Sequence, residues 1–203
     1  MWVSCLDLEG VLVPEIWINV AERTGIAELR LTTRDIADYD ELMTHRMRVL
    51  HEHGLKMSDI TAVIAQMDPF DGACEFLDWL RERGQVLILS DTFIQFAGPL
   101  IKKLGNPTIF CHTLGVVDDR IVDYTVRIPD QKRATVRALQ ALNFKTISVG
   151  DSYNDVAMLS AAEIGVLFRP PQRVIDEYPN LPVTTTYDEL RDAISGARSR
   201  IDS

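Results

Sequence analysis

The stretch Met1-Trp2-Val3-Ser4-Cys5-Leu6-Asp7-Leu8-Glu9-Gly10-Val11 decides the fold. Apolar, strand-prone residues run up to Asp7, a second carboxylate follows at Glu9, and Gly10 lets the backbone turn sharply with its amides exposed. The stretch reads as a strand ending in two acids. Open α/β sheets bind ligands outside the carboxyl ends of their strands, so Asp7 and Glu9 are expected to face a crevice, one as nucleophile and the other as proton shuttle. A charged turn after an edge strand would explain an isolated D-x-E pair as well. The other strand ends decide between the two.

Working outward, the next segment is helical. Pro14 is placed to start a helix in which Ile16, Trp17, Val20 and Ala21 recur at helical spacing until Gly25 stops it. A second helix is predicted over 38–53, and a third with Ser58 as its N-cap, ending before Pro69. Beyond Pro69, helices at about 71–83, 93–104, 131–142 and 153–162 alternate with strands at 85–90, 108–112, 145–150, 164–168 and near 181–185. A hairpin is expected over 114–117 and 121–126, a helix led by Pro170-Pro171, and a last helix from Tyr187. Such alternation favours a parallel sheet covered on both faces. The expected fold is therefore α/β: a doubly wound, Rossmann-like parallel sheet made of residues 1–14 and 70–203. It is interrupted after the first strand by a small helical cap, residues 15–69, lying over the strand ends as a lid.

A chain of 203 residues with 46% hydrophobic and 25% charged residues suits one sizeable globular domain with an insertion. A net charge of -9 argues against nucleic acid and against an anionic membrane surface as partners. Small anionic substrates remain compatible, because a metal ion and a few cations reverse the sign inside one pocket. Cys5, Cys74 and Cys111 are odd in number and widely spaced, which fits neither a disulfide framework nor a zinc site and suggests a reduced, cytoplasmic setting. No apolar run approaches the roughly 20 residues that span a bilayer, so neither export nor membrane insertion is expected.

Three strands end in complementary polar groups: Asp7 with Glu9, Ser90, and Asp151 with Asp155. Lys132, just inside the helix before the 145–150 strand, adds a cation within reach of the same crevice. A carboxylate becomes a usable nucleophile towards phosphorus when a cation offsets the repulsion from the phosphate, and hard oxygen ligands suit Mg²⁺. The set is suited to phosphoryl transfer.

On these residues the chain resembles the haloacid dehalogenase-like superfamily of aspartyl-phosphate phosphatases. Asp7-Leu8-Glu9-Gly10-Val11 matches the first motif, Ser90 the second, Lys132 the third and Gly150-Asp151-Ser152-Tyr153-Asn154-Asp155 the fourth. The resemblance implies Asp7 as nucleophile and Glu9 as general acid and base. It further implies Ser90, Lys132, Asp91 and Asn154 around the phosphate, and Mg²⁺ held by Asp7, the Glu9 carbonyl and Asp151, with Asp155 helping through water or from behind. Glu9 departs from the family pattern, where an Asp stands two residues after the nucleophile. Its extra methylene would alter the placing of water and favour transfer to an alcohol.

Within the superfamily the likeness is to phosphoserine phosphatases, which carry a small helical cap with a Glu and an Arg that hold the amino and carboxylate groups of serine. Glu15 and Arg46 occupy similar positions, Glu15 one residue nearer the nucleophile. The Leu89-Ser90-Asp91-Thr92-Phe93 stretch departs from the Ser-Gly-Gly common in phosphoserine phosphatases and, together with Asp7-Leu8-Glu9-Gly10-Val11 and Gly150-Asp151-Ser152-Tyr153-Asn154-Asp155, resembles the bifunctional phosphoserine phosphatase and homoserine phosphotransferase group. The resemblance thus implies O-phosphoserine and homoserine as small-molecule partners of a monomer or homodimer. A phosphatase for another small phosphomonoester, or a non-catalytic binding protein on the same fold, are the competing readings.

Other residues take plainer readings. Arg48 reads as a solvated residue of the cap helix, and His51 and His53 as surface residues and not a metal site, since i and i+2 do not share a helix face. Cys5 and Cys111 read as core side chains, and Trp17 as either core or cleft. Asp118, Asp119 and Asp123 are a solvated turn.

Overall fold

The structure is a computed structural model and describes every residue except Arg34 and Ala37. Trp2–Leu6 forms strand β1, buried at all five positions. Its alternate residues go to opposite faces. Trp2 and Leu6 join one apolar cluster, with Phe76, Phe93, Phe96 and Phe168, while Val3 and Cys5 join a second with Leu87, Val136 and Leu159. A strand covered on both faces needs this near-continuous apolar sequence.

The remaining strands are β2 Gln85–Phe93, β3 Thr108–Val117, β4 Arg120–Thr125, β5 Lys145–Gly150, β6 Ile164–Phe168 and β7 Val183–Thr184. They form one seven-stranded sheet in the order β4-β3-β2-β1-β5-β6-β7. Every neighbouring pair is parallel except β3 with β4. Leu6 lies level with Ile88 of β2 on one side and with Val149 of β5 on the other. The chain leaves β1 for β2 on one side and returns from β4 to β5 on the other, so the carboxyl end of β1 lies at a topological switch point, where such sheets open a ligand crevice.

The segment after β1 carries α1 Ile16–Thr24, a 3-10 turn Ala27–Arg30, α2 Tyr39–Glu52 and α3 Met57–Ala65. Gly25 ends α1 in the left-handed conformation, φ 73°. The insertion shares its apolar residues with the sheet layer: Trp17, Val20, Met43 and Ile60 belong to the cluster of Leu6 and Phe96. The sheet is covered by α4 Ala73–Arg81, α5 Ile94–Lys103, α6 Gln131–Ala141, α7 Tyr153–Ala161, α8 Gln172–Glu177 and α9 Tyr187–Asp202. Among the described residues, no helix is long and apolar enough to cross a membrane.

Three local expectations change. Ser58 does not cap α3; it lies inside the first turn, behind Lys56 at the cap position. The Ser58 amide and hydroxyl both donate to the Asp119 carboxylate, at 2.9 and 2.6 Å, and the Met57 amide donates to the Asp119 carbonyl at 2.8 Å. The predicted strands at 108–112 and 114–117 are one strand, β3. Strand β2 continues past Ser90 to Phe93 through a bulge, four residue steps from Leu89 to Phe93 facing two from Phe110 to His112.

Candidate active site

The carboxyl ends of β1, β2 and β5 build the site. The Asp7 amide donates to the Val149 carbonyl at 2.9 Å, which locks the first residue after β1 against β5. Oδ1 of Asp7 accepts the Leu8 amide at 2.8 Å and faces Lys132 Nζ at 2.9 Å. Gly10 follows at φ +77°, and a Cβ there would fall 2.5 Å from the Asp151 carboxyl carbon, so both conformation and space require glycine. The Gly10 amide is not an exposed donor, contrary to expectation: it donates to the Val13 carbonyl at 2.8 Å and closes the turn.

After β5 the chain enters α7 through a capping box. Oδ2 of Asp155 accepts the amides of Asp151 and Ser152 at 3.0 and 3.2 Å, and Oδ1 accepts Lys132 Nζ at 2.7 Å. Asp155 therefore fixes the loop that aims Asp151. Ser90 stands in the β2 bulge, buried, with its Oγ accepting the Thr92 amide at 3.2 Å and its carbonyl accepting Gln131 Nε2 at 2.7 Å. Bulges commonly re-aim side chains beside active sites.

One carboxylate oxygen each from Asp7, Asp151 and Asp155 lie within 4.8 Å of one another, all three side chains buried. Burial pushes the Asp7 carboxyl well above its ordinary range; Asp155 and Asp151 add to this and Lys132 opposes it. Burial also works against the charge on Lys132, but Asp155, Asp7 and Asp91 outweigh it and hold the ammonium well above its usual value. One ammonium thus serves three acids, Asp7, Asp91 and Asp155. Hard oxygen donors in that arrangement fit a divalent cation such as Mg²⁺.

The insertion supplies the other wall. Glu15, Trp17, Tyr39 and Arg46 line the same cavity of about 80 Å³ as Asp7, Glu9, Ser90, Asp91, Lys132, Asp151 and Asn154. The structure therefore brings the predicted Asp7, Glu9, Glu15, Arg46, Ser90, Asp91, Lys132, Asp151 and Asn154 together, with Asp155 directly behind and Tyr39 added. Glu9 Oε2 accepts the Ile16 amide at 2.8 Å, at the start of α1. Burial, reinforced by the nearby Glu15 charge, pushes the Glu9 carboxyl up to about 8. Arg46 is buried, stacks on Trp17 at 4.6 Å and donates to the Leu31 carbonyl at 3.0 Å, while its Nε has no partner among the described residues. Burial lowers its pKa to about 10, against the charges of Tyr39, Glu9 and Glu15. Trp17 serves both core and cleft, edge-on to Phe96 at 5.5 Å.

Several neighbours of the site have no motif signature. Thr92 lines the cavity from the bulge. Tyr39 donates its hydroxyl to the Asp91 carbonyl at 3.0 Å, tying α2 to β2. Gln131 and His112 approach Asp91 from α6 and β3. The one sequence signal for Gln131 is its place beside Lys132; for Tyr39 and His112 there is none.

Comparison with known proteins gives the family and the fold. The family model of the haloacid dehalogenase-like hydrolases matches residues 5–163. The chain is 55% identical over 201 residues to phosphoserine phosphatase ThrH of Pseudomonas aeruginosa, covering 98% of both proteins. It is also 55% identical over 200 residues to a phosphoserine phosphatase of Pseudomonas syringae, covering 98% of this chain and 84% of that one. A phosphoserine phosphatase solved as a phospho-aspartyl intermediate analogue shares the fold at TM-score 0.74 and 19% identity, over 95% of this chain and 97% of that one.

Proposed function

The chain belongs to the haloacid dehalogenase-like hydrolases, and on that footing we propose that it is a Mg²⁺-dependent phosphoserine phosphatase working through an aspartyl phosphate on Asp7, able to pass the phosphoryl group to homoserine as well as to water. The observation that carries the reading is Lys132 Nζ, 2.9 Å from Asp7 Oδ1 and 2.7 Å from Asp155 Oδ1, at the floor of a cavity walled by Ser90 and Asp151.

Asp7 attacks phosphorus in line. Glu9, protonated at neutral pH because its carboxyl is pushed up to about 8, gives its proton to the departing serine oxygen. It then takes a proton from water, or from the homoserine hydroxyl, as that oxygen discharges the aspartyl phosphate. The Ser90 hydroxyl donates to a phosphoryl oxygen, and Lys132 balances charge as it develops. Asp7, Asp151 and the Glu9 carbonyl would hold the metal, Asp155 being committed to Lys132 and to two amides. Bound there, Mg²⁺ supplies the positive charge that lets a carboxylate approach a phosphate.

The cap wall selects the substrate. Arg46 brings a buried guanidinium with an unmatched Nε, suited to a substrate carboxylate, and Glu15 brings a carboxylate for the ammonium group. Homoserine is serine lengthened by one methylene, so the same pair accommodates it. The segment 15–69 acts as the lid over this chamber.

The test is release of phosphate from O-phospho-L-serine with Mg²⁺, with and without homoserine, following O-phosphohomoserine in the same tube. Both products support the full reading. Inert phosphoserine alongside cleavage of an aryl phosphate would leave the chemistry of Asp7 standing and remove the roles of Glu15 and Arg46.

A further inference from the structure

The β2 bulge brings Ser90, Asp91 and Thr92 to the site, and one of the three is an acid where an anion must bind. Asp91 follows Ser90, and its carboxylate gathers four nitrogen atoms from three segments of the chain. Oδ1 accepts Gln131 Nε2 at 3.1 Å and faces His112 Nε2 at 3.6 Å; Oδ2 accepts Asn154 Nδ2 at 3.0 Å and faces Lys132 Nζ at 3.5 Å. Asn154 is held at its other end too, by the Ser152 hydroxyl at 2.5 Å. The main chain of Asp91 takes the Tyr39 hydroxyl from the cap.

A carboxylate so surrounded stays ionised and has no proton to donate to a phosphate oxygen. Its neighbours Lys132 and Asn154 do have protons to give. Asp7 and Asp91 flank the same ammonium, at 2.9 and 3.5 Å, so a phosphoryl group on Asp7 has the Asp91 charge one ammonium away. Asp91 also forms part of the wall between the reaction cavity and a larger one of about 700 Å³, which Asp38, Asp40 and Asp130 line as well. Like charges repel, and a freed phosphate, unlike a phosphoryl group bonded to Asp7, can respond by leaving.

We propose that Asp91 is a positioning residue that holds Lys132 and Asn154 towards the phosphoryl group on Asp7 and, by competing for the same ammonium, keeps the affinity for released inorganic phosphate low. The inference rests on the reading of Asp7 as phosphoryl acceptor. A phosphomonoester substrate is retained by its additional contacts in the cap; inorganic phosphate lacks them.

Calorimetric titration of inorganic phosphate into the protein with Mg²⁺ tests this in wild type, Asp91→Asn and Asp91→Glu. Asp91→Asn keeps the shape and an acceptor oxygen but removes the charge, and it should bind phosphate on the order of tenfold more tightly. Aryl-phosphate hydrolysis by that variant should be inhibited at correspondingly lower phosphate concentration, and Asp91→Glu should return towards wild type. Tighter binding is a gain that loosened structure does not mimic. Unchanged or weaker phosphate binding in Asp91→Asn overturns the proposal, and so does the same result in Asp91→Ser should Asp91→Asn not fold. Absence of Mg²⁺-dependent aryl-phosphate turnover in the wild type is a different failure, that of Asp7 as acceptor.

Discussion

Two groups of three aspartates sit on this fold, and their difference lies in what surrounds them. Asp7, Asp151 and Asp155 are buried at the carboxyl ends of β1 and β5. Asp118, Asp119 and Asp123 lie on the β3–β4 hairpin at the molecular surface, with Asp118 and Asp123 exposed. In the first group burial drives the Asp7 carboxyl upward and one lysine is shared among several acids. In the second, hydrogen bonds from Ser58 hold the Asp119 carboxyl below its ordinary range, and solvent screens the rest. Acids near water settle by local hydrogen bonding; acids out of water must find a cation, and a protein keeps that arrangement where the chemistry uses it.

The largest expected effect breaks the first group and spares the second. Asp7→Asn should lower phosphatase turnover by about 10⁴-fold or more if Asp7 is the nucleophile proposed above. Asp123→Asn should leave the rate within about twofold. Substantial turnover by Asp7→Asn, measured with an aryl phosphate, would remove the covalent mechanism.

Lys132→Met tests the shared ammonium. It leaves Asp7 and Asp155 buried without their ammonium, and should cost about 3–5 kcal/mol in urea unfolding together with about 10²–10³-fold in rate. Mg²⁺ should raise the Tm of the wild type, and Asp151→Asn should flatten that response. An equal Mg²⁺ shift in Asp151→Asn would move the metal elsewhere.

The Glu9 carboxyl gives a prediction in pH. With a pKa pushed up to about 8, the acid form is present at neutral pH, so kcat/KM should fall as pH rises past about 8. Glu9→Gln should remove that limb along with most of the rate. The stability sign follows from the same shift: between the ordinary carboxylate range and about 8 the folded state holds a proton that the unfolded chain has lost. The contribution of Glu9 to stability therefore declines as pH rises through that window. Urea unfolding of wild type and Glu9→Gln between pH 5 and about 9 measures it.

The buried group was the legible one. A strand of apolar residues running up to Asp7, with Ser90 and Asp151 at the ends of two other apolar runs, exposes the switch point without any knowledge of side-chain contacts, because strand period and breakers place those residues. Glu15 and Arg46 were legible through resemblance alone. Tyr39, His112 and Gln131 were not, since what joins them is the position of Asp91 in a bulge, set by the pairing of β2 with β3. A bulge depends on two strands at once, so no single stretch announces it.

Asp119 is where local reading failed most usefully, and it supplies the smallest prediction. Read alone, Asp118-Asp119 is a turn, and both residues do take positive φ, 47 and 62°. Yet Asp119 also receives the Met57 amide on its carbonyl and the Ser58 amide and hydroxyl on its carboxylate, so a hairpin 61 positions away satisfies the first turn of α3. Those amides have no partner within their own helix. The same hairpin reaches α2, where the Tyr124 hydroxyl bonds the Asp40 carboxylate. Asp119→Ala should lower the Tm by a few degrees, as loss of one cap does in a chain of this size, and leave aryl-phosphate turnover nearly unchanged. Because the Asp119 carboxyl is held low, its contribution is present at neutral pH and is lost as pH falls through that lowered value. A rate loss comparable to that of Lys132→Met would show that the surface acids reach the chemistry through the cap, and the separation of the two groups would no longer hold.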